Sequence, residues 1–483
     1  MIPKPSSCEG CELHDPPIGK PRGFVPPSGS GSNGVLVVLE APGRDEEEKG
    51  IPTSGKAGYA LWAKVLRATK QPREGFRIHY VLSCRPPEGR LAGTRYEHQA
   101  IVKCAPNLGR TIREHKAAAQ AAGITPVVLT LGLMAFIQVM GWDRSDRRLG
   151  LAYYNYPHWS ERHGCWVVAS AEPSYFVRGN QAQTPVLTYA FEQALRIATQ
   201  PNYVAEVPNH LCDPSPSTAL RWAEGYVAAH RRNPKVVLAY DIETPYKQHT
   251  DEETVSREDD ADYTILRCGY AYGAPEDRPR VVSFPWTAPY LAAHRLIFAH
   301  QGEKVGWNSD NYDNPRIIKH FPMRGTYLDG MLAWHVLESG LRKGLGAVVP
   351  FYCPDHPFWK SWSGNQPALY NACDADVTLR CWHGIVAGLR KGDLWGVFER
   401  HVLKIQSVLA YLREQGLAFD LAARGRAEQK VSALLAESNA RIQAVVPAGA
   451  RAVKVYKRLP KEHYEEVEVP EGYKLKEGER WIT

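Results

Sequence analysis

From residue 35 the chain alternates short, unbroken apolar runs with segments whose apolar residues recur every three or four positions. VLVVLE at 35–40, HYVLSC at 79–84, VVLTLG at 127–132 and WVVASAEP at 166–173 read as buried strands, and LWAKVLRATK at 61–70 as an amphipathic helix. This alternation, continuing to about residue 198, predicts an α/β domain. PNYVAEVPNHLCDPSPS at 201–217 is rich in Pro and Asn and reads as a linker, and SPSTALRWAEGYVAAH at 215–230 as a capped helix. A second α/β unit follows. Its strands VVLAYDIE (236–243), ILRCGYAYG (265–273) and RVVSFPW (280–286) come in meander order, with helical segments after them. HVLKIQSVLAYLREQG (401–416) and AARGRAEQKVSALLAESNARIQAVV (422–446) carry helical spacing. The mixed-charge tail 451–483 carries no clear period.

Composition bounds the class. With 483 residues the chain is too long for one core, and 44% hydrophobic with 23% charged residues is ordinary for a globular protein. The net charge of +7 favours a polyanionic partner only weakly at this length. The start, MIPKPSSCEG, carries no secretory pattern, and the longest apolar stretch, PVVLTLGLMAFIQVM, is too short to span a bilayer. A cytoplasmic protein with no membrane partner is therefore expected. In that compartment its 10 Cys are core residues or metal ligands rather than disulfides.

The apolar run at 236–240 ends in Asp241 and Glu243, which a strand places on one face. Two carboxylates so close repel each other, and either a cation or a proton must offset that. Three later stretches supply partners: GWNSDNYDNPRI with Asn308 and Asp313, TYLDGMLAWHVLE with Asp329, and LYNACDADVTLRCW with Tyr370 and Asp374. Tyr370 and Asp374 are four apart on a helical pattern and share a face. Converging carboxylates could hold two divalent cations that activate a water and stabilise the leaving oxygen of a phosphodiester. Any one of these acids alone reads more simply as a solvated cap or turn.

DIET, WNSDNYD and YNACDADVT, in that order, resemble the three motifs of the DEDD 3′–5′ exonucleases of the tyrosine subclass, over roughly 234–400. The resemblance implies an RNase H-like fold and two Mg²⁺ or Mn²⁺ ions on Asp241, Glu243, Asp313 and Asp374. It also implies that Tyr370 orients the attacking water, that Thr244 and Asn308 lie near the terminal nucleotide, and that Asp329 has a supporting role. The partner implied is the 3′ end of single-stranded DNA. VLAYLREQGLAFDLAA at 408–423 resembles the helix after the proofreading domain of family-A DNA polymerases. The segments expected to bind incoming nucleotide and template do not follow before GERWIT. The expectation is a split enzyme with a separate polymerase subunit, or the N-terminal part of a longer polymerase.

Near the start, Cys8 and Cys11 form a C-x2-C pair, and Cys84 and Cys104 follow at long range; four thiolates could hold zinc or an iron–sulfur cluster. CEGCELH, LEAPGRDEEEKGIPTSGKAGYALW, SCRPPEGR, TLGLMAF and AEPSYFVRG follow the order of the family 4 uracil-DNA glycosylases, which they resemble over about 5–198. The resemblance implies a [4Fe–4S] cluster on Cys8, Cys11, Cys84 and Cys104. Glu40, Pro42 and Gly43 fit the family. Thr53 stands where a base-stacking Phe is expected, Tyr80 where an Asn reads uracil, and Glu172-Pro173-Ser174 where the family has His-Pro-Ser.

The expected architecture is a uracil-DNA glycosylase-like domain at 1–200, a linker and helix at 201–233, an exonuclease domain at 234–400, and a helical segment and tail at 401–483. The combination is that of a phage-type replicative polymerase, placed in the host cytoplasm. The expected activity is exonucleolytic proofreading, with the first domain gripping DNA or a replication partner without excising bases. The alternative is an active glycosylase joined to an exonuclease.

Overall fold

The computed structural model describes residues 4–445 except 14–22, 90, 92–93, 95, 143–153, 178–180, 246–263, 417 and 419. The tail 451–483 lies outside the described residues. Strands β1 (Val35–Leu39), β2 (Arg77–Tyr80), β3 (Val127–Leu131), β4 (His158–Ser160) and β5 (Cys165–Ser170) form one sheet in the order β2-β1-β3-β5-β4. Every pairing is parallel except that of the edge strand β4 with β5. Every residue of β1 and β3 is buried, as strands covered on both faces require. The long apolar stretch at 126–140 is broken by Gly132, whose φ of +103° lies where side chains are strained; β3 ends there and the helix Leu133–Met140 begins.

The second sheet runs β11-β10-β7-β8-β9-β6, from β6 (Leu211–Cys212), β7 (Val237–Glu243), β8 (Arg267–Gly273), β9 (Arg280–Pro285), β10 (Lys304–Gly306) and β11 (Tyr327–Asp329). The meander β7-β8-β9 is antiparallel, and β10, β11 and β6 add in parallel. Part of the segment read as a linker is therefore structured: Leu211 and Cys212 pair with Val282 and Ser283 as an edge strand. The helix Pro216–Arg232 starts where its sequence indicates, with Ser215 accepting from the Thr218 amide.

Residues Met1–Val408 form one compact unit. The two sheets are joined within it by Tyr156, fully buried, whose hydroxyl donates to the Gly346 carbonyl at 2.7 Å. The Arg196–Asp355 pair at 2.6 Å and the Arg380–Glu206 pair at 2.9 Å add to that junction. The second unit, Leu409–Thr483, contains the helix Leu421–Val445, with Asp420 accepting from the Ala423 amide at its start. Its apolar residues Leu421, Val431, Leu434, Leu435 and Ile442 are exposed. No helix among the described residues is long and apolar enough to cross a membrane.

Candidate functional site

Strand β7 delivers Asp241 and Glu243 to one face, opposite Gly269 and Arg267 of β8. The helix Pro367–Lys391 lies across that face, carrying Tyr370 and Asp374. Its approach depends on Gly269: a Cβ there would sit 2.4 Å from the Asn371 carbonyl oxygen. Asn371 fixes the helix to the strand, its Nδ2 donating to the Asp241 carbonyl at 3.0 Å and to Asp241 Oδ2 at 2.8 Å, while its Oδ1 accepts from Ser283. One carboxylate oxygen from each of Asp241, Glu243 and Asp374 lies within 4.8 Å of the other two.

The remaining residues take different positions. Asp313 is buried and its Oδ1 accepts at 3.0 Å from the amide of Ile242, between the two strand acids. It stands beside the three-carboxylate group rather than within it. Asp329 is the N-cap of the helix Gly330–Leu337 and also accepts from the Asn308 and Asp310 amides, a scaffolding arrangement. Asn308, at a φ of +60°, accepts from Asn311, and the Thr244 hydroxyl bonds that of Tyr312 at 2.6 Å.

Lys360 escaped the sequence reading, since no spacing rule links it to Asp374. Its ammonium lies 2.5 Å from Asp374 Oδ1 and donates to the Tyr370 hydroxyl at 3.2 Å. Trp359 Nε1 adds a second contact to the same carboxylate at 3.2 Å. One ammonium does not neutralise the site. Burial, with Asp374, Glu243 and Asp313 adding like charge, holds Asp241 well above the usual carboxylate range. Burial and then Asp374 push Glu243 up to about 8, and burial pushes Asp313 up to about 7. Buried oxygens that resist ionisation until a cation arrives suit a hard divalent ion such as Mg²⁺ or Mn²⁺.

In the N-terminal half, Cys8, Cys11, Cys84 and Cys104 are all buried. The helix Glu97–Ala121 carries Cys104 and grips the N-terminal segment: Lys103 donates to the Glu9 carbonyl, and Gln99 donates to the Gly10 carbonyl and accepts from the Glu12 amide. Burial pushes the Cys84 thiol up to about 12 and that of Cys104 to about 11, each raised further by the other cysteines. Lys4 Nζ is buried with no hydrogen-bond partner and acts electrostatically on Cys8, Cys84 and Cys104. An anionic thiolate-bound group would satisfy it. No three of the four sulfurs come within 4.8 Å of one another. Around a single zinc, thiolates bound at about 2.3 Å would stand closer than that.

A cavity of about 270 Å³ opens beyond the carboxyl ends of β1, β3 and β5 and is lined by Glu40, Gly132, Asn155, Glu172, Tyr154 and Tyr175. Arg342 and Phe351 from the second half also line it. Thr53 and Tyr80 are buried and bound to each other, the Thr53 amide donating to the Tyr80 hydroxyl at 2.9 Å. The Thr53 hydroxyl is occupied by Trp62 Nε1 at 2.8 Å and by the Pro52 carbonyl.

Residues 26–196 match the uracil DNA glycosylase superfamily. The chain is 40% identical over 84 residues to a type-4 uracil-DNA glycosylase of Archaeoglobus fulgidus, covering 17% of this chain and 40% of that protein. It is 33% identical over 102 residues to a type-4 uracil-DNA glycosylase of Pyrobaculum aerophilum, covering 21% and 47%. The chain thus spans less than half the length of these relatives. Among solved structures, the POL domain of Pol1 from M. smegmatis in complex with DNA primer-template and dNTP aligns at TM-score 0.33 and 15% identity, over 48% of this chain and 37% of that one.

Proposed function

We propose that this protein is a metal-dependent 3′–5′ DNA exonuclease, joined to a glycosylase-superfamily domain that holds DNA or a replication partner without excising uracil. The observation that carries the nuclease reading is the convergence of Asp241, Glu243 and Asp374 within 4.8 Å, with Tyr370 one helical turn from Asp374. Divalent ions at these oxygens, with Asp313 supporting, would supply a metal-activated water and stabilise the leaving oxygen. The protein's own groups set the stage. Asn371 orients Asp241, while Lys360 and Trp359 orient Asp374. The Tyr370 hydroxyl, kept protonated by burial and by the surrounding carboxylates, can donate to or accept from a water at the reacting phosphate. The 3′–5′ polarity rests on the resemblance of DIET, WNSDNYD and YNACDADVT to the DEDD exonucleases, and the proofreading role on that of VLAYLREQGLAFDLAA to the helix after the proofreading domain of family-A polymerases. The test is shortening of a 5′-labelled single strand with Mg²⁺ or Mn²⁺, compared with Asp241→Ala and Asp374→Ala.

In the first domain, Cys8, Cys11, Cys84 and Cys104 would hold a [4Fe–4S] cluster that ties the N-terminal segment to the α/β core. The uracil-directed chemistry is compromised at three places. Thr53 and Tyr80 are spent on each other, and Glu172 sits at the cavity where a donor to the departing base is needed. An ionised carboxylate there opposes the negative charge gathering on a leaving uracil, and loss of one such donor costs about 10²–10³ in rate.

A further inference from the structure

The 270 Å³ cavity retains the features of a ligand site although the uracil-directed groups are gone. It lies where ligands bind in open α/β sheets, beyond the carboxyl ends of adjacent parallel strands at the point where the strand order reverses, here between β1 and β3. Its size is just below the roughly 300–1,000 Å³ of small-ligand pockets, room for one base rather than a strand. Its mouth reaches the surface at Leu133 and Tyr175, which are 44% and 36% exposed.

The polar lining is rich in acceptors, set beside the Tyr154 and Tyr175 hydroxyls and the Gln183 amide, which can also donate. Glu40 and Glu172 contribute carboxylates that only accept when ionised. Asn155 is 2% exposed, is held at a φ of +71°, and its Oδ1 has no hydrogen-bond partner. A buried acceptor left unpaired is destabilising, and a ligand donor would recover that loss. Among the described lining residues the cationic side chain is Arg342, from the second half of the molecule. Tyr154 and Phe351 supply aromatic walls.

We infer that this cavity is a binding site for a guanine base, assembled from both halves of the chain. Guanine presents N1–H and N2–H₂ side by side, a donor pair that matches the two oxygens of one carboxylate and leaves an amino hydrogen for a further acceptor such as Asn155 Oδ1. Its O6 and N7 are the acceptors an arginine takes in bidentate fashion. Uracil sets carbonyl oxygens on both sides of its single N–H and would face the carboxylates with acceptors. Adenine and cytosine place a ring acceptor beside their amino group, which is similarly mismatched. The base could arrive in a free mononucleotide or turned out of a single strand; the chemistry is shared.

The inference rests on the reading that this domain does not excise uracil, and an excision assay tests that reading separately from the binding measurement. The experiment is calorimetric titration of the full chain, in an Asp241→Asn background, with dGMP, dAMP, dCMP and dUMP. A second arm uses thymidine-only oligonucleotides carrying one central G or one central U. The expected result is at least ten-fold tighter binding of the guanine ligand in one arm, and that arm identifies the source. Glu172→Gln and Arg342→Ala should each lower that affinity about ten-fold or more. Asn155→Gly, which keeps the positive φ, should lower it with little change in melting temperature. Equal affinity for all bases, a uracil preference, no binding in either arm, or guanine binding unchanged in both Glu172→Gln and Arg342→Ala would overturn it.

Discussion

The Lys360 ammonium sits 2.5 Å from Asp374 Oδ1, inside the only three-carboxylate group among the described residues. A protein cation thus stands at one of the carboxylates proposed to hold a metal ion, and the two would compete for it. At 4 Å and an effective dielectric near 20, one charge pair is worth about 4 kcal/mol as an upper bound. Lys360→Gln should therefore tighten Mn²⁺ binding by roughly ten-fold or more while lowering the stability of the ion-free protein. Calorimetry with Mn²⁺ checks the first effect and thermal melting in EDTA the second. Weaker Mn²⁺ binding in the variant would contradict this account.

Stability should fall with pH in the absence of metal. Glu243 is raised to about 8 and Asp313 to about 7, so between the ordinary carboxylate range and those values the folded protein holds protons that the unfolded chain has released. Stability is then full at low pH and lost as pH rises through about 7–8. Ions that compensate the charge reverse this loss. The melting temperature in EDTA should drop between pH 6 and pH 8, and Mn²⁺ should restore more of it at pH 8 than at pH 6.

Gly269→Ala should cost about 1–3 kcal/mol, since the new Cβ would meet the Asn371 carbonyl at 2.4 Å and backbone must move. The displaced helix takes Asp374 away from Asp241, so Mn²⁺ affinity should fall with stability. Urea denaturation and Mn²⁺ titration of this variant measure the two. Retained affinity would show that the helix contact does not set the site.

Much of this arrangement is legible in the sequence, but unevenly. Asp241 and Glu243 follow from a period of two in an apolar run, and Tyr370 with Asp374 from a spacing of four on a helix. Those are local rules, and the structure places each pair on a shared face. Lys360, Asn371 and Gly269 obey no such rule. Each matters through a contact with residues 14, 130 or 102 positions away, set by how the helix crosses the sheet. Leu211 and Cys212 are hidden in Pro-rich sequence because a two-residue edge strand carries no period. Arg342 joins the base pocket only because the two halves pack together. Asp313 also accepts from the Ile242 amide, a use of a carboxylate that spacing alone does not reveal.

The cysteine site makes a compositional prediction. Protein prepared without oxygen should be brown and contain about four irons per chain. Cys104→Ala should remove the colour and loosen the N-terminal segment that the Glu97–Ala121 helix holds, read as faster proteolysis near residue 10. Stoichiometric zinc in colourless wild-type protein would contradict the cluster while leaving the ligands in place.

Asp241, Glu243 and Asp374 are proposed to form a metal-dependent nuclease site acting on 3′ ends. The most direct measurement follows a 5′-labelled single-stranded oligonucleotide with wild-type protein, with Asp241→Ala and with Tyr370→Phe, each in Mg²⁺ and in EDTA. Wild type with Mg²⁺ should give a ladder shortening from the 3′ end, and EDTA should abolish it. Asp241→Ala should be inactive, and Tyr370→Phe should retain partial activity because the ring and its packing survive. A wild-type rate in Asp241→Ala, or no shortening by wild type in Mg²⁺ or Mn²⁺, would contradict the account.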